Sequence, residues 1–277
     1  SEDRKYVLKT VPEKTYKHCK TMFDTLRGTP HVRVAEDTDS EHCTFIHPYR
    51  RDHLLSFVQK DVPLSTTKLV LRDALRGLAA LHVKGMVHTD IKPNNILLDW
   101  NDQGGELEVK EVQIADMEDM VRLPDNHYIS GRQWGNWMWR SPEAHAAAAI
   151  QKPTDMFSFG LVCIYAVTKE AVLAVDPKKA TEDNPIEAIV VRRQVSYFSD
   201  LEDMEGLITY LEDSPWIGYL NFVMANFSED YPRRPLCLWS DLDEDLKDLL
   251  TKMMSMDPKR RITASEALAH KWFADVP

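Results

Sequence analysis

The sequence predicts an α+β fold in which a short segment with β-strands precedes a larger, mainly helical part. Residues 6–9 and 44–46 are short apolar runs of the kind that form strands. Residues 66–83 carry apolar side chains at helical spacing and predict an amphipathic helix. Residues 157–167 are apolar but too few to cross a bilayer, so they predict a helix in the protein core.

The remaining elements follow from turn and capping signals. Residues 96–98 predict a strand, and Asn-Asp-Gln-Gly-Gly at residues 101–105 predicts the turn of a hairpin. Thr263 and Glu266 have the spacing of a capping box, which opens a helix. The helix before it has an apolar stripe at i, i+3 and i+4, which indicates core packing. That stripe consists of Leu246, Leu249, Leu250, Met253 and Met254.

The composition limits the classes of partner. The formal net charge of −10 argues against nucleic acid, because nucleic-acid-binding domains present a basic face. The four cysteines have no metal or disulfide spacing, which indicates reduced thiols in an intracellular protein, cytoplasmic or nuclear. We find no signal peptide or membrane-spanning segment and expect no membrane partner. The sequence leaves the oligomeric state open.

An eight-residue motif, His-Thr-Asp-Ile-Lys-Pro-Asn-Asn at residues 88–95, joins the amphipathic helix to the next strand. It resembles the catalytic loop of protein kinases, His-Arg-Asp-Leu-x-x-x-Asn, with Thr89 in place of the arginine. The resemblance implies that Asp90 accepts the proton of an attacking hydroxyl and that Asn95 is a Mg²⁺ ligand. It also implies that Lys92 stabilises the transferred phosphoryl group and that His88 has a structural role.

A second motif, Ile-Ala-Asp-Met-Glu at residues 114–118, stands where protein kinases carry Asp-Phe-Gly. The resemblance makes Asp116 the main Mg²⁺ ligand, a hard carboxylate for a hard cation. Met117 takes the apolar role of the phenylalanine. Glu118 replaces the glycine, which removes backbone freedom at that position.

Three more motifs follow in the order of the family. Trp-Arg-Ser-Pro-Glu, ending at Glu143, resembles the Ala-Pro-Glu that closes the activation segment, and Asp155 begins a stretch similar to the central helix. In such kinases an arginine at the position of Arg261 pairs with that glutamate, so we expect a Glu143–Arg261 ion pair. Any one of these motifs also fits an ordinary helix cap or solvated acid. Five in family order and spacing resemble a protein kinase from about residue 46 to the end.

The resemblance implies a protein kinase-like bilobal fold with an incomplete β-rich N-lobe and a mainly helical C-lobe. We expect a single domain at residues 1–277, with a partial N-lobe at 1–46, a hinge at 47–52 and a C-lobe at 53–277. By resemblance, Ile46 is the gatekeeper, and the His47 carbonyl and the Tyr49 amide face adenine. Leu97 belongs to the same ATP site.

The N-terminal part departs from the family pattern. Lys9, in Tyr-Val-Leu-Lys, resembles the lysine that contacts ATP. The first glycine is Gly28, so a Gly-rich loop before Lys9 is absent from this chain. No glutamate occurs between residues 13 and 36, and Lys20 falls near the position of the usual glutamate partner. The sequence leaves three alternatives for Lys9: pairing with Asp24, pairing with Asp116, or exposure to solvent.

Three function classes follow. The first is Ser/Thr phosphoryl transfer from ATP with Mg²⁺ to a protein substrate, since tyrosine kinases usually have a different residue pattern around Lys92. The second is a pseudokinase scaffold, favoured by the absent Gly-rich loop and by Met117-Glu118; a fragmentary chain is the other explanation of that absence. The third is a small-molecule kinase, disfavoured by the motifs at Glu143 and Asp155. We expect the first, in a chain similar to divergent kinase-like proteins of filamentous fungi.

Thr89 has a regulatory implication. Without the arginine, the loop lacks the side chain that binds an activation-loop phosphate in related kinases. We therefore expect activity that does not depend on phosphorylation of Tyr128 or Ser130. Asn136 stands where a threonine normally contacts the loop, and its amide is expected to form similar hydrogen bonds.

Overall fold

The computed structural model describes residues 4–104, 106–230 and 232–276. It has an N-terminal sheet with one helix, followed by a larger helical part that carries two small sheets. The strands are β1 (Tyr6–Thr10), β2 (Asp37–Asp39), β3 (Thr44–Pro48), β4 (Asp52–His53), β5 (Met86–Val87), β6 (Ile96–Gln103), β7 (Glu106–Ile114) and β8 (Val121–Arg122). The helices are α1 (Glu13–Leu26), α2 (Leu54–Phe57), α3 (Leu64–Val83), α4 (Pro142–His145), α5 (Lys152–Thr168), α6 (Ile186–Phe198), α7 (Leu201–Leu211), α8 (Trp216–Ala225), α9 (Glu244–Met253) and α10 (Ala264–Leu268).

The N-terminal sheet is antiparallel, in the order β1-β3-β2. Helix α1 covers one face of it, because its apolar residues recur at helical spacing and are buried together. The ring of Phe45 on β3 stacks on Tyr16 at 4.8 Å and meets Phe23 edge-on at 4.9 Å between centroids. These aromatic contacts fix α1 against the strand that bounds the cleft described below.

The hairpin of β6 and β7 is longer than the sequence suggested. Asn101, Asp102 and Gln103 pair with β7 instead of forming the turn, and the turn lies at Gly104, which has a φ of +70°. The last residue of the expected turn, Gly105, lies outside the described residues. Asparagine and aspartate favour turns, but here cross-strand pairing continues up to Gly104, and glycine suits a tight hairpin turn. The second sheet has the order β4-β6-β7.

The helical part is organised around α5, in which every residue from 154 to 166 is buried. The expected core helix is therefore confirmed. Helix α3 packs against α5, α10 and β7. The stripe on α9 is buried as expected, and the capping box of Thr263 and Glu266 is present at the start of α10.

All four cysteines carry free thiols. Among the residues that the structure describes, no helix combines the length and the apolar character needed to cross a membrane.

Candidate active site

The Asp155 carboxylate holds the loop between β5 and β6, residues 88–95, through hydrogen bonds to its backbone. This carboxylate is fully buried in the first turn of α5 and accepts hydrogen bonds from the backbone amides of His88 and Thr89, both at 2.8 Å. It also lies 2.9 Å from Nε2 of His82 on α3. Thr89 has a φ of +66°, an uncommon conformation for a residue with a side chain. The Asp155 bonds hold the backbone in that conformation, as expected of a structural role.

Two side chains predicted to be functional, those of Lys92 and Asn95, converge on Asp90. Lys92 Nζ donates to Asp90 Oδ2 at 2.5 Å, and Asn95 Nδ2 donates to the same oxygen at 3.1 Å. Asn95 Nδ2 also donates to the Asp90 carbonyl at 2.9 Å. The Asn136 backbone amide donates to Asp90 Oδ1 at 3.0 Å, whereas the Asn136 side chain accepts from the Met138 amide. The contact expected from the Asn136 side chain is thus made by its backbone.

Asp116 follows β7 and faces the same cleft. The Ala115 amide donates to the Asn95 carbonyl at 2.8 Å, and a ring nitrogen of His88 lies 3.0 Å from the Ala115 carbonyl. These bonds tie the two motifs together across the loop. Asp116 itself has a φ of +68°. Burial alone would raise the pKa of its carboxyl, but the hydrogen bond and charge of Lys9 outweigh burial, and the pKa lies below its ordinary value.

A cleft of about 240 Å³ lies between the N-terminal sheet and this loop. Its walls include most of the residues that the sequence assigned to nucleotide and metal binding. These are Lys9, His47, Asn95, Leu97 and Asp116, and the structural residue Met117 lines the cleft as well.

The three alternatives for Lys9 are now resolved. Its Nζ donates to Asp116 Oδ1 at 2.8 Å and lies 2.5 Å from Glu118 Oε1. Asp24 instead pairs with Arg27 at 3.6 Å. Glu118, which the sequence analysis treated only as a substituted glycine, is therefore a second carboxylate on Lys9.

The α1 residues that line the cleft are also different from the expected one. Lys20 is exposed, with its Nζ 5.8 Å from the centre of the Tyr16 ring. Cys19 lines the cleft, and its Sγ lies 3.9 Å from the Met117 carbonyl. Burial first, and then the charge of Glu118, raises the pKa of the Cys19 thiol to about 11, so the thiol is neutral.

The register of β3 places other side chains on the cleft side than the sequence suggested. Lys9 pairs with Phe45 and Val7 with His47, and opposite residues of an antiparallel pair share a face. The side chains on the cleft side of β3 are therefore Phe45 and His47, while Ile46 pairs with Leu8 on the other face. Ile46 thus lies on the face of β3 away from the cleft, unlike the position that the resemblance assigned to it.

The two backbone groups expected to face adenine are directed toward β1 and the residue before it. The Tyr49 amide donates to the Lys5 carbonyl at 2.9 Å, and Tyr49 lines a different cavity. Antiparallel ladders alternate with period two, so the backbone groups of His47 point toward β1 as well. His47 thus enters the cleft with its imidazole. Burial, followed by the charge of Arg33, lowers the pKa of His47 to about 4, which makes the ring neutral at pH 7.

The predicted ion pair between Glu143 and Arg261 is present and fully buried. Arg261 Nη1 and Nη2 donate to the two carboxylate oxygens of Glu143 at 2.7 and 2.8 Å. Burial alone would raise the pKa of Glu143, but the charge and hydrogen bonds of Arg261 lower it. The pair joins α4 to the residues just before α10 and so stabilises the segment that ends at Glu143.

The segment after Asp116 is anchored without an arginine at position 89. The Thr89 hydroxyl donates to the Asp119 carbonyl at 2.9 Å. Arg132 Nη2 donates to the Asp119 carboxylate at 3.1 Å, and its guanidinium lies 3.4 Å from the centre of the Trp134 ring. These contacts connect the loop to the region that bears Tyr128 and Ser130.

Sequence reasoning missed several residues of the cleft. Cys19, Phe23, Arg33 and Asn94 line it although none was assigned a role. For Glu118 a signal existed, because α1 has no glutamate at the expected position and an acid follows Asp116 by two residues. For Cys19 and Phe23 the sequence offered no signal, since their positions depend on how α1 packs on the sheet.

Comparisons with known proteins identify related chains. Cyclin-dependent kinase B2-2 of Arabidopsis thaliana is 27% identical over 252 residues, which cover 88% of this chain and 68% of that protein. Mitogen-activated protein kinase HOG1 of Cryphonectria parasitica is 30% identical over 213 residues, which cover 74% of this chain and 50% of that protein. Serine/threonine-protein kinase srb10 of Schizosaccharomyces pombe is 29% identical over 224 residues, covering 77% of this chain and 57% of that protein. The chain thus spans between half and about two thirds of these relatives.

A comparison with solved structures identifies a chain of similar fold. The crystal structure of the yeast RNA Pol II CTD kinase CTDK-1 complex contains a chain that matches with a TM-score of 0.77 at 18% identity. The match covers 98% of this chain and 86% of that one, and it confirms the expected α+β kinase fold. The relatives also confirm the expected Ser/Thr type. The protein kinase domain family model matches residues 3–273, and the chain therefore belongs to the protein kinase family.

Proposed function

We propose that this chain transfers the γ-phosphoryl group of ATP to a serine or threonine hydroxyl of a protein substrate. The observation that carries the proposal is the convergence of Lys92 and Asn95 on the Asp90 carboxylate, beside a cleft that holds Lys9 and Asp116. Phosphoryl transfer depends mainly on positioning and on charge stabilisation.

Each of these side chains has a role in the proposed step. Asp90 accepts the proton of the attacking hydroxyl, whose oxygen bonds to phosphorus as the bond to the ADP leaving group breaks. Lys92, 2.5 Å from Asp90, lies where it stabilises the charge on the transferred group. Lys9 contacts the α- and β-phosphates from the opposite wall of the cleft.

The residues present fit a Mg²⁺ ion. Asn95 and Asp116 supply oxygen donors to one cleft, and Mg²⁺ is usually held by one or two carboxylates together with substrate phosphates. No group of three or more His, Cys, Asp or Glu side chains suited to a metal occurs among the described residues, so a dedicated protein cage for a metal is not part of this site. Bound there, the ion would neutralise negative charge on the phosphate oxygens.

The base of the nucleotide has two protein contacts in this proposal. Leu97 supplies an apolar surface, and His47 supplies a buried neutral imidazole whose Nδ1 has no hydrogen-bond partner in the described part of the chain. A buried polar atom without a partner favours a ligand that completes its hydrogen bonding. We therefore assign the contact with the nucleotide base to His47, in place of Ile46.

The structure supports activity without phosphorylation of the segment after Asp116. The hydroxyl of Thr89 and the guanidinium of Arg132 already bind Asp119, so the segment is held by contacts of the unmodified chain. Substitution of Tyr128 by Phe or of Ser130 by Ala should leave the turnover number unchanged. We further propose an intracellular location, since free thiols persist in reducing compartments.

Two variants test the proposed chemistry. Asp90→Asn should lower kcat by about 100-fold or more, because a positioned base contributes about 10²–10⁴, and it should leave the affinity for ATP nearly intact. Asp116→Ala should abolish the Mg²⁺-dependent part of the thermal stabilisation by ATP. At about a hundred times the dissociation constant that stabilisation is roughly 2.7 kcal/mol. Asp125→Asn, an exposed acid paired with Lys152, is the matched control and should change neither value.

The alternative is a pseudokinase, and the same measurements separate it from an enzyme. Turnover that survives in Asp90→Asn would refute the assignment of the base. Stabilisation by Mg²⁺ and ATP with no peptide phosphorylation by the unaltered chain would favour a nucleotide-binding scaffold. No stabilisation at millimolar ATP would exclude the nucleotide site in this chain.

A further inference from the structure

Lys9 is held by two carboxylates from the same short segment after β7. Its ammonium lies 2.8 Å from Asp116 and 2.5 Å from Glu118, and the three side chains are similarly exposed, at 38 to 40%. Burial alone would lower the pKa of Lys9, but its hydrogen bonds to these two acids raise the pKa above its ordinary value. Lys9 is therefore a cation, and its position is set by that segment.

Helix α1 does not offer a competing acid. Its only acidic residues are Glu13 and Asp24, which pair with Lys17 at 2.6 Å and Arg27 at 3.6 Å. Two α1 side chains line the cleft and neither is an acid: Cys19, a neutral thiol, and Phe23. The acid that the sequence pattern led us to expect on α1 is thus found at position 118 instead.

The two carboxylates are not equivalent in the proposed reaction. Asp116 is the proposed Mg²⁺ ligand, and a carboxylate oxygen bound to a divalent cation has less negative charge left for Lys9. Glu118 has no such second role and stays available to neutralise Lys9. One carboxylate alone would have to serve the metal and the lysine together.

We propose that Glu118 is the positioning residue for Lys9, so that the orientation of this lysine is fixed by the segment after Asp116 and not by α1. This inference rests on the proposed function, because it assigns Lys9 to the nucleotide phosphates. Glu118 acts through Lys9 and does not itself touch the substrate.

The first test is kinetic and uses four variants and one control. Glu118→Gln should lower kcat/KM for ATP by about tenfold or more, which corresponds to about 1.4 kcal/mol. Glu118→Asp, which keeps the charge on a shorter side chain, should lie between Glu118→Gln and the unaltered chain. Cys19→Glu combined with Glu118→Gly returns the acid to α1 and should recover activity relative to Glu118→Gly. Glu170→Gln, an exposed acid outside the cleft, is the control.

The second test does not depend on turnover. Lys9 labelling by an amine-directed acylating reagent, followed by mass spectrometry, reports how readily the amine reacts. Removal of the Glu118 carboxylate takes away one of the two ion-pair partners of the Lys9 ammonium, which leaves the amine more open to the reagent. Glu118→Gln should therefore label faster at Lys9, whereas Glu170→Gln should not. Thermal unfolding of each variant shows whether the fold is intact.

The outcomes distinguish this inference from the proposed function. Labelling of Lys9 at an unchanged rate in Glu118→Gln overturns the positioning role, whether or not the chain is active. Faster labelling together with unchanged kcat and KM for ATP in an active enzyme also overturns it. Faster labelling in a chain that never phosphorylates a peptide supports the ion pair and refutes only the proposed function.

Discussion

Replacement of Arg261 by leucine is the most severe single perturbation of the fold that we expect. Arg261 donates five hydrogen bonds: two to Glu143, and one each to the carbonyls of Ser255, Pro153 and Met256. Both charged groups are shielded from water, with at most 1% of either side chain exposed. Arg261→Leu leaves the Glu143 carboxylate buried without its counter-ion.

The expected cost of Arg261→Leu at pH 7 is about 3–5 kcal/mol, the usual range when one partner of a buried ion pair is removed. That is a large part of the roughly 5–15 kcal/mol that stabilises a domain. Urea denaturation, with the free energy of unfolding extrapolated to water, measures this cost. Arg76→Leu removes an arginine of similar charge that is about half exposed and pairs with Asp73, so it should cost no more than about 1 kcal/mol.

The pH dependence of the variant has a defined sign. In the intact protein Arg261 lowers the pKa of Glu143 against the effect of burial. Without Arg261, burial raises that pKa above the ordinary 4.5, so the variant takes up a proton on folding and regains stability as the pH falls. The double variant Glu143→Leu/Arg261→Leu should be more stable than the sum of the single changes predicts. A cost of Arg261→Leu below about 1 kcal/mol, or strict additivity in the double variant, would refute the reasoning.

Two further predictions concern residues 131–145, the stretch that leads into and includes α4. Gly135→Ala places a Cβ 2.3 Å from the Thr89 carbonyl at a residue with a φ of +74°, so the Asp90 loop must shift and kcat should fall about tenfold or more. Gly131→Ala, with a φ of +88° and open space around it, should show only backbone strain of about 1–3 kcal/mol in thermal unfolding and normal kcat; equal kcat in the two variants would contradict the steric argument. Burial, with the charge of Arg140 next, lowers the pKa of His145 from 6.5 to about 3. The unfolded chain therefore binds one more proton between those pH values, and stability should decrease by about 1.4 kcal/mol per pH unit as the pH falls from 6.5 toward 3. His145→Gln should show a smaller slope in denaturation measured over this range, and an unchanged slope would contradict the pKa shift.

Local sequence patterns predicted the loop at residues 88–95 well. Asp90, Lys92 and Asn95 lie within six residues of each other, so the geometry of one short loop places them together. The core helix α5 and the stripe on α9 were also predicted, because burial along a helix follows directly from apolar periodicity. The Glu143–Arg261 pair spans 118 residues and was found only because family motifs mark both positions.

The register of β3 was not predictable from the same kind of reasoning. A shift of one residue moves every side chain to the other face of the strand. Residues 44–48 are mostly buried and lack an alternating polar pattern, so either register fits the sequence. Pairing with β1 fixes the register of β3 and places the side chain of His47, rather than that of Ile46, in the cleft.

The sequence by itself determined the family, the core helices and the identity of the groups that surround Asp90, because these depend on short-range patterns and motif order. Only the tertiary structure decided which acid accompanies Lys9. Lys9 and Glu118 are 109 positions apart. They meet because the chain between α1 and β2 pairs with Ile114 at the end of β7. Coulomb attraction has no preferred sequence separation, so several acids were available to this lysine, and the packing of α1 and the sheet selected Asp116 and Glu118.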